Sequence, residues 1–337
     1  MAWYNEIGHD TDVVLSSRVR FARNIKDYPF SPLLDETGAS EIISKVRDAL
    51  VGFDLIDMRS KSQLERTSYV EKHLISPNFA ASAAPCALLI DKKETDAVMV
   101  CEEDHIRIQS ILPGLALKEA FEAACDIDDK IDACVTYAYD EKLGYLTHCP
   151  TNLGTGMRAS VMMFLPALTM TNLLNRYAGQ LEKLGMTLRG IYGEGSGSEA
   201  YVYQLSNSVT MGITEDETIS KLENIINQLI ESERKTREKL KAQNYDRICD
   251  KVCRSMGILK SAYMMSSKEF LKLFADVKLG CALGMIDGVD DTALSRLFIA
   301  AMPATLVLGE DGEARSDTER DKLRAKFIKA YNFKDRG

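Results

Sequence analysis

Apolar positions along the chain follow two different periods. Over Ile42–Leu50 and Leu115–Ile131 they recur every three or four residues, which predicts amphipathic helices. Short apolar runs at Cys86–Ile90 and Ala97–Cys101, separated by the polar Asp91–Asp96, predict an antiparallel hairpin. Val135–Tyr139 and Leu143–Thr147 flank Asp140–Lys142 in the same way. Met157–Tyr177 is mostly apolar and reads as helix, with Pro166 as a kink or break. Leu188–Tyr192 and Tyr201–Val209 predict two more strands around a glycine-rich loop.

The character then changes. Thr214-x-x-Glu217 is a capping box, and Ile219, Leu222, Ile225, Ile226, Leu229 and Ile230 behind it keep helical spacing. The helix runs on into Glu231–Lys241, nearly all charged and without an evident buried stripe. Beyond it the pattern is helical, with glycine breaks expected at Gly280, Gly284 and Gly288. A polar loop over Gly309–Glu313 leads to Ser316-x-x-Glu319, a second capping box opening a last helix. The expected class is therefore α+β: an antiparallel sheet flanked by helices over residues 13–236, then a smaller all-α domain over 237–337.

Composition narrows the function. The chain has 337 residues, 45% hydrophobic and 27% charged, an ordinary globular balance for roughly two domains. Its net charge of −8 argues against a dedicated nucleic-acid binder, whose affinity comes from phosphate neutralisation. The N-terminus shows no signal-peptide pattern, and no apolar run approaches the roughly 20 residues of a membrane span. Eight cysteines contain no CxxC and do not cluster with the four histidines, so no structural zinc site is expected. Reduced thiols fit a cytoplasmic location.

Four segments carry candidate chemistry. In Ser16–Asn24, Arg18 and Arg20 alternate and would share one face of a strand. Guanidiniums so close repel unless an anion lies between them, and their planar forks suit phosphate; the alternative is a solvated basic run. Glu102-Glu103-Asp104-His105 follows an apolar strand and could supply a carboxylate base, a metal site or only an acidic turn. Cys149–Ser160 has Gly154 and Gly156 ahead of the expected helix, whose first turn would hold Arg158 and attract an anion. Cys149 beside that helix start is either an activated thiol or a small core residue. Arg189–Glu199 places Glu194 in a glycine loop that could act as a lid. Repeated arginines, glycine turns and isolated carboxylates together are what phosphoryl transfer needs.

These residues also carry a resemblance. Cys149-Pro-Thr-Asn-Leu-Gly-Thr-Gly, Glu102-Glu103-Asp104-His105 and Arg189-Gly190 ahead of a Gly-Glu loop resemble the phosphagen (guanidino) kinase family. Val14–Arg20, Val70–Pro77, Arg189–Glu194 and Arg320–Ala325 extend the likeness from about residue 13 to 330, toward the bacterial branch that acts on arginine side chains of proteins. The helical N-terminal domain of creatine and arginine kinases has no counterpart here. Two departures stand out. Gly197-Ser198 displace the lid's second acid, Glu199, and Cys101 replaces an asparagine common before Glu102.

The resemblance implies ATP and Mg²⁺, with no metal held by protein ligands alone. It implies an ATP site of Ser16, Ser17, Arg18, Val19, Arg20, His73, Arg107, Arg158, Ala159, Ser160, Val161, Met162, Arg189, Gly190, Ile191, Tyr192, Gly193 and Glu194. Glu103 and Glu194 would hold and polarise the acceptor guanidinium, with Cys149 beside it. Arg320, Asp321, Arg324 and Ala325 match a phosphoarginine-binding allosteric motif in a C-terminal domain that also dimerises. The implied function is protein-arginine phosphorylation in stress regulation. The implied partners are arginine-bearing substrates such as a CtsR-type repressor, an McsA-type activator and Clp-type proteolysis, with no membrane or nucleic acid. Two alternatives stay open: a kinase of a small free guanidino compound, and a catalytically silent phosphoarginine reader.

Overall fold

The computed structural model describes residues 2–191, 198, 200–331 and 333. Among these residues ten strands form: β1 (Val14–Arg23), β2 (Asp54–Asp57), β3 (Ala87–Ile90), β4 (Asp96–Val100), β5 (Ile106–Pro113), β6 (Tyr139–Asp140), β7 (Gly144–Tyr145), β8 (Met157–Phe164), β9 (Met186–Gly190) and β10 (Val202–Asn207). Eight of them build one antiparallel sheet in the order β2-β3-β4-β5-β1-β8-β10-β9, and β6 and β7 pair separately. The β3–β4 hairpin lies where the pattern predicts it. The second hairpin is reduced to two paired residues on each side.

Helices α1 (Glu36–Ala49), α2 (Gln63–Glu71), α3 (Pro77–Ala81), α4 (Leu117–Asp132), α5 (Pro166–Met170) and α6 (Leu174–Lys183) belong to this part of the chain. Alternation divides the sheet into two faces. Val19, Phe21, Ile108, Ala159, Val161 and Leu205 are buried on one of them, and α4 packs across β1, β5 and β8. The other face carries the polar side chains that form the candidate site.

The clearest correction concerns Met157–Phe164, which is a strand and not a helix. It sits between β1 and β10 with both edges hydrogen-bonded. Arg158 and Ser160 do alternate with Met157, Ala159 and Val161, but Met162–Phe164 run on without a polar break into the helix that follows, so the segment merges with an apolar helical stretch. Arg158 therefore lies on a strand, and Cys149 precedes only a short 3₁₀ turn, Pro150–Asn152. Pro166 begins α5, as proline does at a first helical position.

The long helix α7 (Glu215–Ser261) opens with the reciprocal Thr214/Glu217 capping box and is broken only at Asn244 (φ −136°). Its charged stretch does contain a buried stripe. Glu233 and Arg237, four residues apart, are 0% and 3% exposed and pair at 2.7 Å. Glu233 also accepts from Ala167 N and Leu168 N at the start of α5, and Arg237 reaches Asp12 and the Phe164 carbonyl. A buried ionic stripe cannot be recognised by counting apolar residues.

Four more helices follow among the described residues: α8 (Ser267–Ala282), α9 (Asp291–Ala300), α10 (Pro303–Glu310) and α11 (Asp317–Ala330), the last opened by the Ser316/Glu319 capping box. Gly280 does not break α8. A side chain there would lie 2.3 Å from Val252 Cγ1, so the glycine permits close packing of α7 on α8. The terminal helices return to the sheet-bearing part: α9 packs on the Trp3–Asn5 turn and α10 on α2. Glu71 of α2 accepts from Ala304 N and Thr305 N in the first turn of α10. Among the described residues no single helix is long and apolar enough to cross a membrane.

Candidate active site

Strand register gathers the arginines. Arg18 and Arg20 are two apart on β1 and share a face. Arg20 stands directly opposite Arg158 of β8, and Ala22 opposite Arg107 of β5. Arg189 of β9 faces Gln204 of β10, which faces Met162 of β8. Cross-strand partners point the same way, so Arg18, Arg20, Arg107, Arg158 and Arg189 project from one side of the sheet.

Like charges directly opposite are unfavourable, and the titration of the guanidiniums reflects this. Burial, with Arg158 and Arg107 nearby, pulls Arg18 down to about 10. Burial and three neighbouring arginines hold Arg20 well below its ordinary value, and burial and Arg189 lower Arg158. Internal compensation is incomplete. Arg18 Nη2 donates to Gln204 Oε1 at 3.0 Å, and Arg107 pairs with Glu102 at 2.5 Å and Glu103 at 3.3 Å. Among the described residues, the buried Nε atoms of Arg20 and Arg158 have no partner. Such a face is built to receive an anion with several oxygens.

The acidic turn between β4 and β5 divides its labour. Cys101 takes a left-handed conformation (φ 62°), and Cys101 N and Glu102 N close the turn on His105 O and Asp104 O. Asp104 and His105 are fully buried. Asp104 Oδ1 accepts from Asn24 Nδ2 and His148 N at 2.8 and 2.7 Å. His105 Nδ1 accepts from Ile25 N at 3.0 Å and Nε2 lies 2.7 Å from Pro29 O, which fixes the neutral Nε2–H tautomer. Glu102 is spent on Arg107 and on the Ser76 hydroxyl. Glu103 alone stays half exposed, held by Arg107 and by His148 at 3.7 Å. Among the described residues no group of three acids, histidines or cysteines could hold a metal.

Glu103, Cys149, Arg20, Arg107, Arg158 and Asn152 line one cavity of about 240 Å³. Cys149 Sγ lies 3.0 Å from Thr151 Oγ1. A neighbouring space of about 220 Å³ is bounded by Asn152, Arg158, Arg189 and Asn207, and a narrow third one by Ser16, Arg18, His73, Ser160, Met162 and Gln204. Burial and Arg18 push His73 down to about 3, so its ring is neutral there.

Not every expected nucleotide contact lies on this face. Ser17, Val19, Ala159 and Val161 point to the helix-covered side and are buried; alternation leaves every second residue of those windows out of side-chain reach. Ser17 instead donates to Gly114 O and accepts from Ala116 N at the start of α4. Gly190 ends β9 opposite Tyr203, and just beyond it Ile191 N donates to Val202 O. Tyr192, Gly193, Glu194 and Glu199 fall outside the described residues. Sequence reasoning missed Gln204, Gln109, His148, Ser76 and Asn152. Gln109 and Gln204 could have been noticed as amides inside otherwise apolar strands; the others are brought in only by the fold.

At the C-terminus, Arg324 is 1% exposed. It donates to Ala301 O, Met265 O and Asp321 Oδ1 at 2.8–2.9 Å. Ala325 is buried beside it. Arg320 is more open and bonds to Asp317 and Arg315 O.

Residues 36–236 match the family described as ATP:guanido phosphotransferase, C-terminal catalytic domain, and residues 245–334 match the protein-arginine kinase McsB C-terminal domain. A protein-arginine kinase of Caldanaerobacter subterraneus subsp. tengcongensis is 45% identical over 95% of this chain and 97% of its own length. One of Halothermothrix orenii is 43% identical over 97% and 95%. The chain belongs to the protein-arginine kinase family. Among solved structures, a duplicated taurocyamine kinase of Schistosoma mansoni with bound transition-state analogue components aligns at TM-score 0.59 and 28% identity. That match takes in 66% of this chain, which spans about a third of that protein's length. Lombricine kinase aligns at TM-score 0.59 and 23% identity over 68% and 70% of the two chains, a likeness of fold. The resemblance places an asparagine where this chain has Cys101, and the left-handed turn explains that preference: among non-glycine residues, asparagine adopts it most readily.

Proposed function

We propose that this chain transfers the γ-phosphoryl group of ATP to arginine side chains of proteins. The observation that carries the reading is one available carboxylate, Glu103, facing an under-compensated arginine face across a single cavity. In this reading Arg18, Arg20, Arg107, Arg158 and Arg189 bind phosphate oxygens and offset the charge that moves during transfer. Mg²⁺ would arrive on the nucleotide phosphates, as it commonly does where the protein offers few ligands. The acceptor guanidinium lies against Glu103 and Cys149. One Nη attacks the γ-phosphorus, the bond to the β–γ bridging oxygen breaks, ADP leaves, and the Nη proton passes to Glu103. Holding both substrates in line is itself worth several orders of magnitude. Glu194 would share the acceptor's positive charge.

The same reading divides the chain into a catalytic part, 13–236, and a helical part, 237–337, that forms a homodimer and binds phosphoarginine. It also includes a CtsR-type repressor among the substrates, an McsA-type activator, Clp-type removal of marked proteins and a cytoplasmic setting. A second reading, a kinase of small free guanidino compounds, is favoured by the taurocyamine kinase likeness. Incubation with ATP, Mg²⁺ and either a casein-like protein or free arginine separates the two, read as acid-labile phosphate on arginine. Label on the protein is expected, and Glu103→Gln should lower it about 10²–10⁴-fold with nucleotide binding kept. Label on free arginine alone, or a Glu103→Gln rate within a few-fold of wild type, rejects the proposal.

A further inference from the structure

A larger groove lies on the far side of the Cys149–Gly156 loop. It has a volume of about 690 Å³, and its walls include Tyr137, Tyr139, Tyr145, Asp132, Glu215 and Met211. Gly154 and Thr155 form its near wall, while Asn152 and Gly156 of the same loop line the Glu103 cavity. The groove thus begins where the cavity's rim ends. None of its side chains serves the phosphoryl-transfer machinery described above.

The chemistry of the walls is specific. Tyr139 and Tyr145 meet edge to face at 5.3 Å, and Tyr145 meets Tyr137 at 5.9 Å, forming a ladder of three phenol rings. Tyr139 is 60% exposed at its outer end, and Met211 and Leu143 are also open. Asp132 and Glu215 stand in the walls, and Asp140 and Glu141 are exposed on the hairpin that carries the rings; Lys142 is the one lysine among the lining residues. Aromatic faces bordered by carboxylates attract cations, guanidinium above all. The chain demonstrates this itself. The Arg23 guanidinium sits 3.5 Å over the inner face of Tyr145 and 5.8 Å from Tyr137, and pairs with Asp128. Arg23 is buried and fully engaged, so the outer rings remain for another cation.

We infer that this groove docks a basic stretch of the protein substrate, its Lys and Arg side chains over Tyr139 and Tyr145 and their charges against Asp132 and Glu215. The inference rests on the protein-kinase reading and adds to it a preference for arginines that lie within basic segments. Charge complementarity chooses the occupant: an acidic or phosphorylated segment would meet the same carboxylates and be repelled.

The test compares two peptides with one target arginine each, one flanked by lysines and one by serines and alanines. Wild-type enzyme should show a KM about tenfold lower for the lysine-flanked peptide, with kcat within twofold. Tyr139→Ala and the double variant Asp132→Asn, Glu215→Gln should erase that difference by raising KM for the basic peptide only. An arginine-free lysine peptide should competitively inhibit wild type and not the variants, a readout that does not require its phosphorylation. Thermal melts of the variants matching wild type exclude unfolding as the cause. Equal KM values for both peptides in wild type, or an unchanged preference in folded variants, overturns the docking site. Absence of any peptide or protein phosphorylation by wild type alongside activity on free arginine overturns the kinase reading instead.

Discussion

Replacing one arginine of the site should make the nucleotide-free protein more stable. Arg18 is the informative choice because its guanidinium is held at about 10 in place of 12.5, by burial and by Arg158 and Arg107. The charged form is then less favourable in the fold than in the unfolded chain by about 3 kcal/mol, at 1.36 kcal/mol for each tenfold step. At pH 7 the group is charged in both states, so the whole penalty is present. Arg18→Met removes it and keeps most of the side chain's apolar volume. The loss is the 3.0 Å charge-assisted bond to Gln204, about 1.5–3 kcal/mol. The expected net gain is at most about 1.5 kcal/mol, or a few degrees in Tm at about 2–4 °C per kcal/mol for a domain of this size. Nucleotide should reverse the order. Wild type gains about 2.7 kcal/mol at a hundredfold excess over Kd, and the variant, lacking a charge-assisted contact worth about 1.5–3 kcal/mol, gains far less. Urea titrations with and without MgATP measure both effects, and Arg18→Lys, which keeps the charge, serves as the control. A variant less stable than wild type without nucleotide refutes the repulsion argument. Equal stabilisation by MgATP in both proteins refutes the placement of Arg18 at phosphate.

Other perturbations follow from the same geometry. Cys149→Ser should lose activity only in part, and alkylation of wild type should inhibit and be blocked by ATP plus acceptor; alkylation at Cys149 mapped by mass spectrometry without inhibition would make the thiol a bystander. His105 is buried and neutral with its pKa lowered from 6.5, so the unfolded chain binds its proton first and the fold loses stability as pH drops below 6.5. Urea midpoints of His105→Gln should therefore fall less steeply than wild type in that range, and parallel curves would contradict it. Arg324→Ala strands Asp321 and two carbonyls and should cost about 3–5 kcal/mol, while Arg320→Ala should cost under about 1 kcal/mol and weaken phosphoarginine binding in calorimetry. A near-neutral Arg324→Ala, or wild-type phosphoarginine affinity in Arg320→Ala, would reject those roles.

The sequence discloses whatever local rules control. Capping boxes at Thr214 and Ser316 start helices α7 and α11 because their geometry is complete within four residues. The alternation of Arg18 and Arg20 places them on one face for the same reason. It also implies that Ser17 and Val19 point away, a consequence that a contiguous window of family residues obscures. Met157–Val161 carries the same alternation, but it is short and runs into the apolar Met162–Leu165 ahead of a helix, so the longer apolar stretch masks it until the pairing with β1 and β10 is known. The meeting of Arg107, Arg158 and Arg189 with Arg20 likewise depends on strand order, which no local pattern encodes. Glu233 and Arg237 escaped because a buried ion pair has the composition of a solvated helix face.

What sets the arginines of the candidate site apart from the structural ones is a count of donors. A guanidinium has five N–H groups and no acceptor, and a buried one must place them or wait for a ligand. Arg23 places them on Asp128, Thr155 O and Ala22 O. Arg237 places them on Glu233, Asp12 and Phe164 O, and Arg324 on Asp321, Ala301 O and Met265 O. All three lie on elements that join one part of the fold to another, and all are at most 3% exposed. Arg20 and Arg158 are treated in the opposite way: each keeps a buried Nε without a partner among the described residues, and they face each other across adjacent strands. No scaffold purpose is served by that arrangement, since a methionine pair would pack there without the repulsion. The sheet tolerates it because its other face is covered by α4 and its central strands are hydrogen-bonded along both edges. Rigidity then holds the guanidiniums at fixed spacing, and under the proposed function the stabilisation their repulsion withholds from the free protein would be released when phosphate oxygens take up those donors.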